Sequence, residues 1–208
     1  MAYDKTQSIE EFLNAAAAKQ PTPGGGAVAA LTGALAASMG EMVLNYSVNK
    51  KDLAEHQPDL QRALTELNRA RQALLELMVE DQAGYETLTA IRKLPATDPQ
   101  REAKFNVAVA VCIQVPQAIG ATAVAILHVC ERVVDISNKF LLSDLAVCAE
   151  LAMATVRCAA YNVRVNLGDL PDANERARLE ATCARQIVDC GGVVRNIIAR
   201  IWARQGHA

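Results

Sequence analysis

The chain has 208 residues, which suggests one domain or two closely fused halves and leaves room for a sizeable core. Its 21 basic and 23 acidic residues give a formal net charge of -2 with no Lys/Arg block, so nothing points to a nucleic-acid surface. Hydrophobic residues make up 51% but aromatics only 4%; Ala, Leu and Val must therefore build the interior, a mix that favours close-packed helices over a sheet.

Met1-Ala2-Tyr3-Asp4-Lys5 lacks the charged and apolar regions of a signal peptide. Ser8 with Glu11 reads as a capping box that opens a short first helix to about Lys19. Pro21-Thr22-Pro23-Gly24-Gly25-Gly26 breaks the chain, and a second helix follows over about 27–49. Its weakly polar stretch from Gly24 is stopped by Glu41, short of the roughly 20 apolar residues of a membrane span. The expectation is a soluble, cytoplasmic protein with no membrane partner. A polar connection over 50–58 leads to a long third helix, about 59–94, and then to the break at Pro95–Pro99. Thr97 with Gln100 is the expected cap of helix four, which runs to about Asp135 with a kink expected at Pro116 and Gly120. Ser137 or Asn138 caps helix five, which reaches about Leu167; Gly168-Asp169-Leu170-Pro171 separates it from a last helix ending near Arg204. No strand emerges. Long helices with short connections predict an all-α antiparallel bundle of about five or six helices, read as a single domain over 1–208. The six cysteines lie in apolar helical runs without a CxxC pair, which reads as small buried residues.

Four constellations could carry chemistry. Gly24, Gly25 and Gly26 let a ligand approach the main chain, and the helix they open offers free N–H groups to an anion. No Gly-Lys-Ser/Thr follows, so this is no phosphate loop of the Walker kind, and a tight turn for close helix packing is an equal reading. Asp81 falls in a stripe with Leu67, Leu74, Met78, Tyr85 and Leu88. An acid on such a face is costly unless it is paired or used, and burial raises its pKa toward acid/base work near neutrality. On helix five, Asp144 and Asn162 share one side with Leu151, Thr155 and Asn166 nearby. Eighteen residues of helix put them roughly 27 Å apart, so they meet at one small centre only if a second subunit brings one across. Lys50-Lys51 reads as solvated charge, or as a carboxylate-binding pair if its loop folds over a pocket. His56, His128 and His207 have no metal-ligand spacing, and there is no nucleophile elbow or dinucleotide fingerprint.

These residues resemble the cyclodeaminase/cyclohydrolase family of folate enzymes. The likeness runs from Ser8-Ile9-Glu10-Glu11-Phe12-Leu13 to the end of helix five. It is most specific at Pro21-Thr22-Pro23-Gly24-Gly25-Gly26-Ala27-Val28-Ala29-Ala30-Leu31, and it recurs at Ser137-Asn138 with Ser143-Asp144-Leu145 and at Asn162-Val163-Arg164-Val165-Asn166-Leu167. Asp81 with Tyr85, and Val115-Pro116, also fall where the family has similar residues. The resemblance implies an all-helical, usually dimeric protein with a folate pocket between helices and no metal, nucleotide or other cofactor. It implies one of two activities: hydrolysis of a methenyl bridge to 10-formyltetrahydrofolate, or closure of a formimino group with loss of ammonia. Phe140 and Leu141 depart from the common cyclodeaminase pattern, and the length leaves no room for a formiminotransferase domain; both tilt the expectation to the hydrolase. Asp81 is then the first candidate acid/base and Asp144 the second. Tyr85, Asn138, Ser143, Asn162 and Asn166 are expected to bind substrate, Gly24–Gly26 to lie against it, and Lys50 and Lys51 to meet its glutamate tail. A non-catalytic helical scaffold is the rival of a different class.

Overall fold

A computed structural model describes residues 5–206. The Ser8 hydroxyl accepts from the Glu11 N–H while the Glu11 carboxylate takes the Ser8 N–H, so the expected capping box starts α1, Ile9–Ala17. Helix α2 is Gly25–Asn45, two residues earlier than its apolar pattern implied, because Gly25 and Gly26 already form its first turn. A 3₁₀ segment, Lys51–His56, leads into α3, Gln57–Arg92, and α4 is Pro99–Val133. The cap of α4 is Asp98, not Thr97: its carboxylate accepts from the Gln100 N–H and Pro99 takes the first turn. Pro116 lies inside α4, which continues through it as one helix. Asn138 caps a short 3₁₀ turn, Lys139–Leu141, and α5 proper is Leu142–Asn166. Asp172 caps α6, Ala173–Gln205, which closes on Gly206 with a φ of 77°.

Helices α2, α3, α4 and α5 form a closed ring in which each packs on two others, and α6 lies against α5 and α4. Among the described residues there is no strand. Three glycines one heptad apart set the register of this ring. A Cβ on Gly40 would meet Leu67 Cδ1 at 2.6 Å and Cys148 Sγ at 3.1 Å. A Cβ on Gly33 would meet Leu74 Cδ1 at 3.0 Å and Thr155 Cγ2 at 3.1 Å, and one on Gly26 would meet Asp81 Oδ1 at 2.0 Å. Rising numbers on α2 pair with falling numbers on both α3 and α5, so α2 is antiparallel to each. Seven residues are about two turns, so the glycines form one groove along α2. The groove takes Leu67, Leu74 and Asp81 as successive rungs.

The core of the ring is aliphatic, with Leu44, Leu60, Leu67, Leu74, Met78 and Leu127 all sealed from solvent. Five cysteines are buried and Cys158 is half-buried, all as free thiols. Helices α2 and α4 reach mean hydropathies of 1.6 and 1.8, long and apolar enough by composition to cross a membrane, which the reading that stopped at Glu41 had not allowed for. Both are walls of the ring, which accounts for their apolar character.

Candidate active site

Asp81 is the one acid in the glycine groove. Its carboxylate lies against the backbone at Gly26, where a methyl group would overlap it, and the Ala27 N–H donates to it. The free amides at the start of α2 thus do receive an anion, as the glycine run implied, but the anion is a side chain of the protein itself. Burial pushes the Asp81 carboxyl above the ordinary carboxylate value, and the Ala27 hydrogen bond pulls it partly back.

Asp81 opens onto a cavity of about 400 Å³ between the four ring helices. Gly24, Gly25 and Gly26 form one wall, with Pro21 and Thr22 before them. Helix α3 contributes Glu80, Gly84, Tyr85 and Arg92 besides Asp81; α4 contributes Val111, Cys112, Val115 and Pro116. From α5 come Asn162, Val165 and Asn166. Asn162 Oδ1 lies 3.2 Å from where a Gly25 Cβ would stand, so Gly25 admits the amide as Gly26 admits the carboxylate. The Asn162 amide donates to Cys158 O at 2.9 Å, and that of Asn166 to Cys112 O at 3.1 Å and Asn162 O at 2.9 Å. With the NH₂ groups engaged on carbonyls, the side-chain oxygens are the acceptors they offer a ligand. The Thr22 hydroxyl donates to Glu86 at 2.8 Å, which ties the glycine segment to α3.

The charge balance of the lining is negative. Glu80 and Asp81 are its acids, and its one cation, Arg92, is paired with Asp169. Burial and the nearby Asp81 both push the Cys112 thiol upward, so it stays neutral. The cavity is therefore built to favour a cation carrying hydrogen-bond donors, with an acid able to exchange a proton.

Not every expected residue is here. Gly24, Gly25, Gly26, Asp81, Tyr85, Asn162 and Asn166 line this cavity; Asp144, Ser143, Asn138, Lys50 and Lys51 do not. Asn138 donates its side-chain amide to Tyr46 O at 3.2 Å, and its backbone N–H goes to the Ser47 hydroxyl at 2.9 Å, so it ties the far end of α2 to the start of α5. Lys50 pairs with Asp52 at 2.8 Å and sits 5.8 Å from the centre of the Phe140 ring. Its loop does not fold over the cavity. Phe140 is 75% exposed and away from the cavity, so within one chain it cannot set what the cavity tolerates. Tyr85 belongs to the apolar stripe by spacing, yet it is 45% exposed at the cavity rim. Thr22, Glu80, Gly84, Arg92 and Cys112 were not foreseen as site residues. The heptad of Gly26, Gly33 and Gly40 was the signal available, since it fixes which α3 residues face the glycine run. Among the described residues, no three His, Cys, Asp or Glu side chains group so as to hold a metal ion.

A ring of antiparallel helices with a buried acid and amides around a cation-favouring cavity is the architecture of a helical ligand-binding or catalytic domain. The comparisons place it further. Residues 8–185 match the model of the formiminotransferase-cyclodeaminase family, and the chain belongs to that family. It is 33% identical over 179 residues to methenyltetrahydrofolate cyclohydrolase of Methylorubrum extorquens, covering 83% of this chain and 86% of that protein. It is 23% identical over 201 residues to formimidoyltransferase-cyclodeaminase of Sus scrofa, of which it spans 37% of the length. The crystal structure of formiminotetrahydrofolate cyclodeaminase from Thermotoga maritima superposes with a TM-score of 0.80 at 25% identity, over 95% of each chain.

Proposed function

We propose that the chain is a methenyltetrahydrofolate cyclohydrolase, converting 5,10-methenyltetrahydrofolate and water into 10-formyltetrahydrofolate. The observation that carries this reading is the Asp81 carboxylate, seated on the first turn of α2 and facing a cavity whose lining is net negative. The relative in Methylorubrum extorquens, similar over most of both chains, carries that activity in its name.

The substrate's amidinium spreads one positive charge over N5, the bridging carbon and N10. Glu80 and Asp81 favour that cation in a site partly shielded from water. Asp81 accepts a proton from the attacking water as it adds to the carbon. The tetrahedral adduct then collapses with cleavage of the carbon–N5 bond, and N5 takes up a proton as it leaves. Water supplies two protons: one ends on N5 and the other is released, which balances the charge lost by the substrate. An acid with a raised pKa suits both transfers. Asn162 and Asn166 present amide oxygens to the pterin's N–H groups, Gly24 lets the ring approach the backbone, and Tyr85 covers the rim. The hydrolysis asks for no electron transfer, so water is its one co-reactant. We further propose that the chain works as a single domain, in the cytoplasm, as a homodimer; the exposed apolar side chains Val28 and Leu35 on α2 and Val147 and Val165 on α5 support the last.

The second reading is formiminotetrahydrofolate cyclodeaminase, favoured by the name of the structural relative. In that reaction the same acid would protonate the departing ammonia. One experiment separates the two. Purified protein is incubated with methenyltetrahydrofolate while the near-ultraviolet absorbance is followed, and in parallel with formiminotetrahydrofolate while ammonia is scored. Loss of absorbance without ammonia release is the result expected; ammonia alone replaces the first reading with the second, and neither signal removes both.

A further inference from the structure

A second concavity runs along the outer side of α3 and α4. Its volume is about 550 Å³, and it shares Glu80, Gly84, Val111 and Val115 with the cavity that holds Asp81. The partition between the two is thin. A Cβ on Gly84 would meet Val111 Cγ1 at 3.2 Å, so at this point one bare backbone position faces one valine. Rising numbers on α3 meet falling numbers on α4. The groove therefore begins at Glu80 and Val115, beside the cavity, and ends at Ile91 and Lys104. Eleven residues of α3 separate its ends, roughly 16 Å.

Its chemistry changes along that length. Between the ends the walls are Ala83, Thr87, Val107, Ala108 and Val111, with no charge among them. Val107 is 66% exposed although it is apolar. The end at the cavity carries the Glu80 carboxylate and the far end the Lys104 ammonium. Lys104 is exposed and has no ion-pair partner among the described residues. Other cations are committed elsewhere: Arg92 is paired with Asp169, and Lys50 with Asp52.

We propose that this groove is the subsite for the aminobenzoyl-glutamate arm of the folate and that Lys104 binds its carboxylate. The assignment rests on the folate reading above. The cavity, lined by amides and Asp81, suits the polar pterin and its amidinium. N10, which carries the aryl ring, then stands at the passage beside Gly84 and Val111. The ring leaves through that passage and lies on Ala83, Val107 and Ala108, where its removal from water favours binding. Glu80 repels a carboxylate at the near end and Lys104 attracts one at the far end, so the arm has one favoured direction. Extended, a para-substituted ring, an amide and one glutamate fill most of the groove, and the four-carbon stem of Lys104 covers the rest. Lys104 is thus a specificity residue, which acts on binding and touches no reacting atom.

The test compares two substrates on the full chain: methenyltetrahydrofolate, and methenyltetrahydropteroate, which lacks the glutamate. In the wild type, loss of the glutamate should raise KM about tenfold. K104A should raise KM for the folate by a similar factor, with kcat held within about twofold, and should leave KM for the pteroate as it was. K104R should restore most of the affinity, and none of these chains should change in melting temperature. A K104A effect equal on both substrates, or absent on the folate, overturns the proposal. V107D tests the groove wall: it should raise KM for both substrates and leave the sedimentation of the chain unaltered. If V107D instead breaks an assembly that the wild type forms, and K104A does not separate the substrates, a second copy covers the groove and the proposal falls. Should the wild type release ammonia from formiminotetrahydrofolate and leave the methenyl bridge intact, the same comparison is read on the formimino substrates. Turnover of neither folate faults the functional reading and this assignment with it; a working enzyme indifferent to Lys104 overturns the groove alone.

Discussion

The two ends of the α2–α5 seam carry similar inventories and differ in what they build. At the Gly26 end, Asp81 fills the top rung of the glycine groove, with amides and a cavity beside it. At the Gly40 end, the same heptad position receives Leu67 and Cys148, and the polar groups nearby, Asn138 and Ser47, are spent on tying loops together. One ladder of close approach thus serves aliphatic packing at two rungs and seats a buried carboxylate beside the cavity at the third. The difference lies in what α3 offers: an aliphatic side chain fits the groove at no electrostatic cost, and a carboxylate there is raised in pKa by its burial.

Asp81→Asn should break the comparison most sharply. Removal of the proton acceptor is expected to lower kcat by about 10²–10⁴-fold with an intact fold, read from the methenyl absorbance. Normal turnover would return Asp81 to a structural role. Gly26→Ala tests the rung itself. Its methyl group would stand 2.0 Å from Asp81 Oδ1, so the carboxylate must move, and kcat is expected to fall by about 10²-fold. Gly40→Ala is the matched control: it crowds the end of Leu67 at 2.6 Å, which should cost about 1–3 kcal/mol in thermal or denaturant unfolding and leave turnover unchanged. Equal losses of activity from both would erase the distinction between the ends.

A smaller effect concerns stability against pH. The folded-state pKa of Asp81 is raised, so its protonated form is the one that favours folding. Its contribution is fully present below the ordinary carboxylate value and is lost as pH rises through the raised one. Asp81→Asn should therefore melt higher than wild type at neutral pH, with the gain vanishing on acidification. A gain that grows toward acid would contradict the direction of the shift. Smallest is Lys50→Ala: Lys50 pairs with Asp52 away from the cavity, so KM and kcat are expected to stay within about twofold of wild type in the absorbance assay, and a larger rise in KM would return Lys50 to substrate binding.

Much of this was legible without coordinates. The capping box at Ser8 and the break at Pro21–Gly26 came through because each depends on local chemistry within a few residues, and the raised pKa expected of Asp81 followed from its place in an apolar stripe. Asn138, Ser143 and Asp144 were named beside Asn162 as site residues, although the rise along helix five already put Asp144 roughly 27 Å from Asn162, too far to share one small centre within a chain. Helical periodicity records the angle of a residue about its axis, and Asp144 and Asn162 share that angle. It says nothing of which neighbour stands opposite each turn.

The amino-acid order by itself determined the helices, their caps and the faces they turn inward, since these follow from a period near 3.6 and from Pro, Gly and short polar side chains at fixed offsets. Only the tertiary structure decided that Gly26 admits Asp81 rather than a ligand, and that the Lys50–Asp144 end stands apart from the cavity. The reason is that register between helices is set by contacts far apart in the chain, where a missing methyl group on one helix selects the side chain that another can place there.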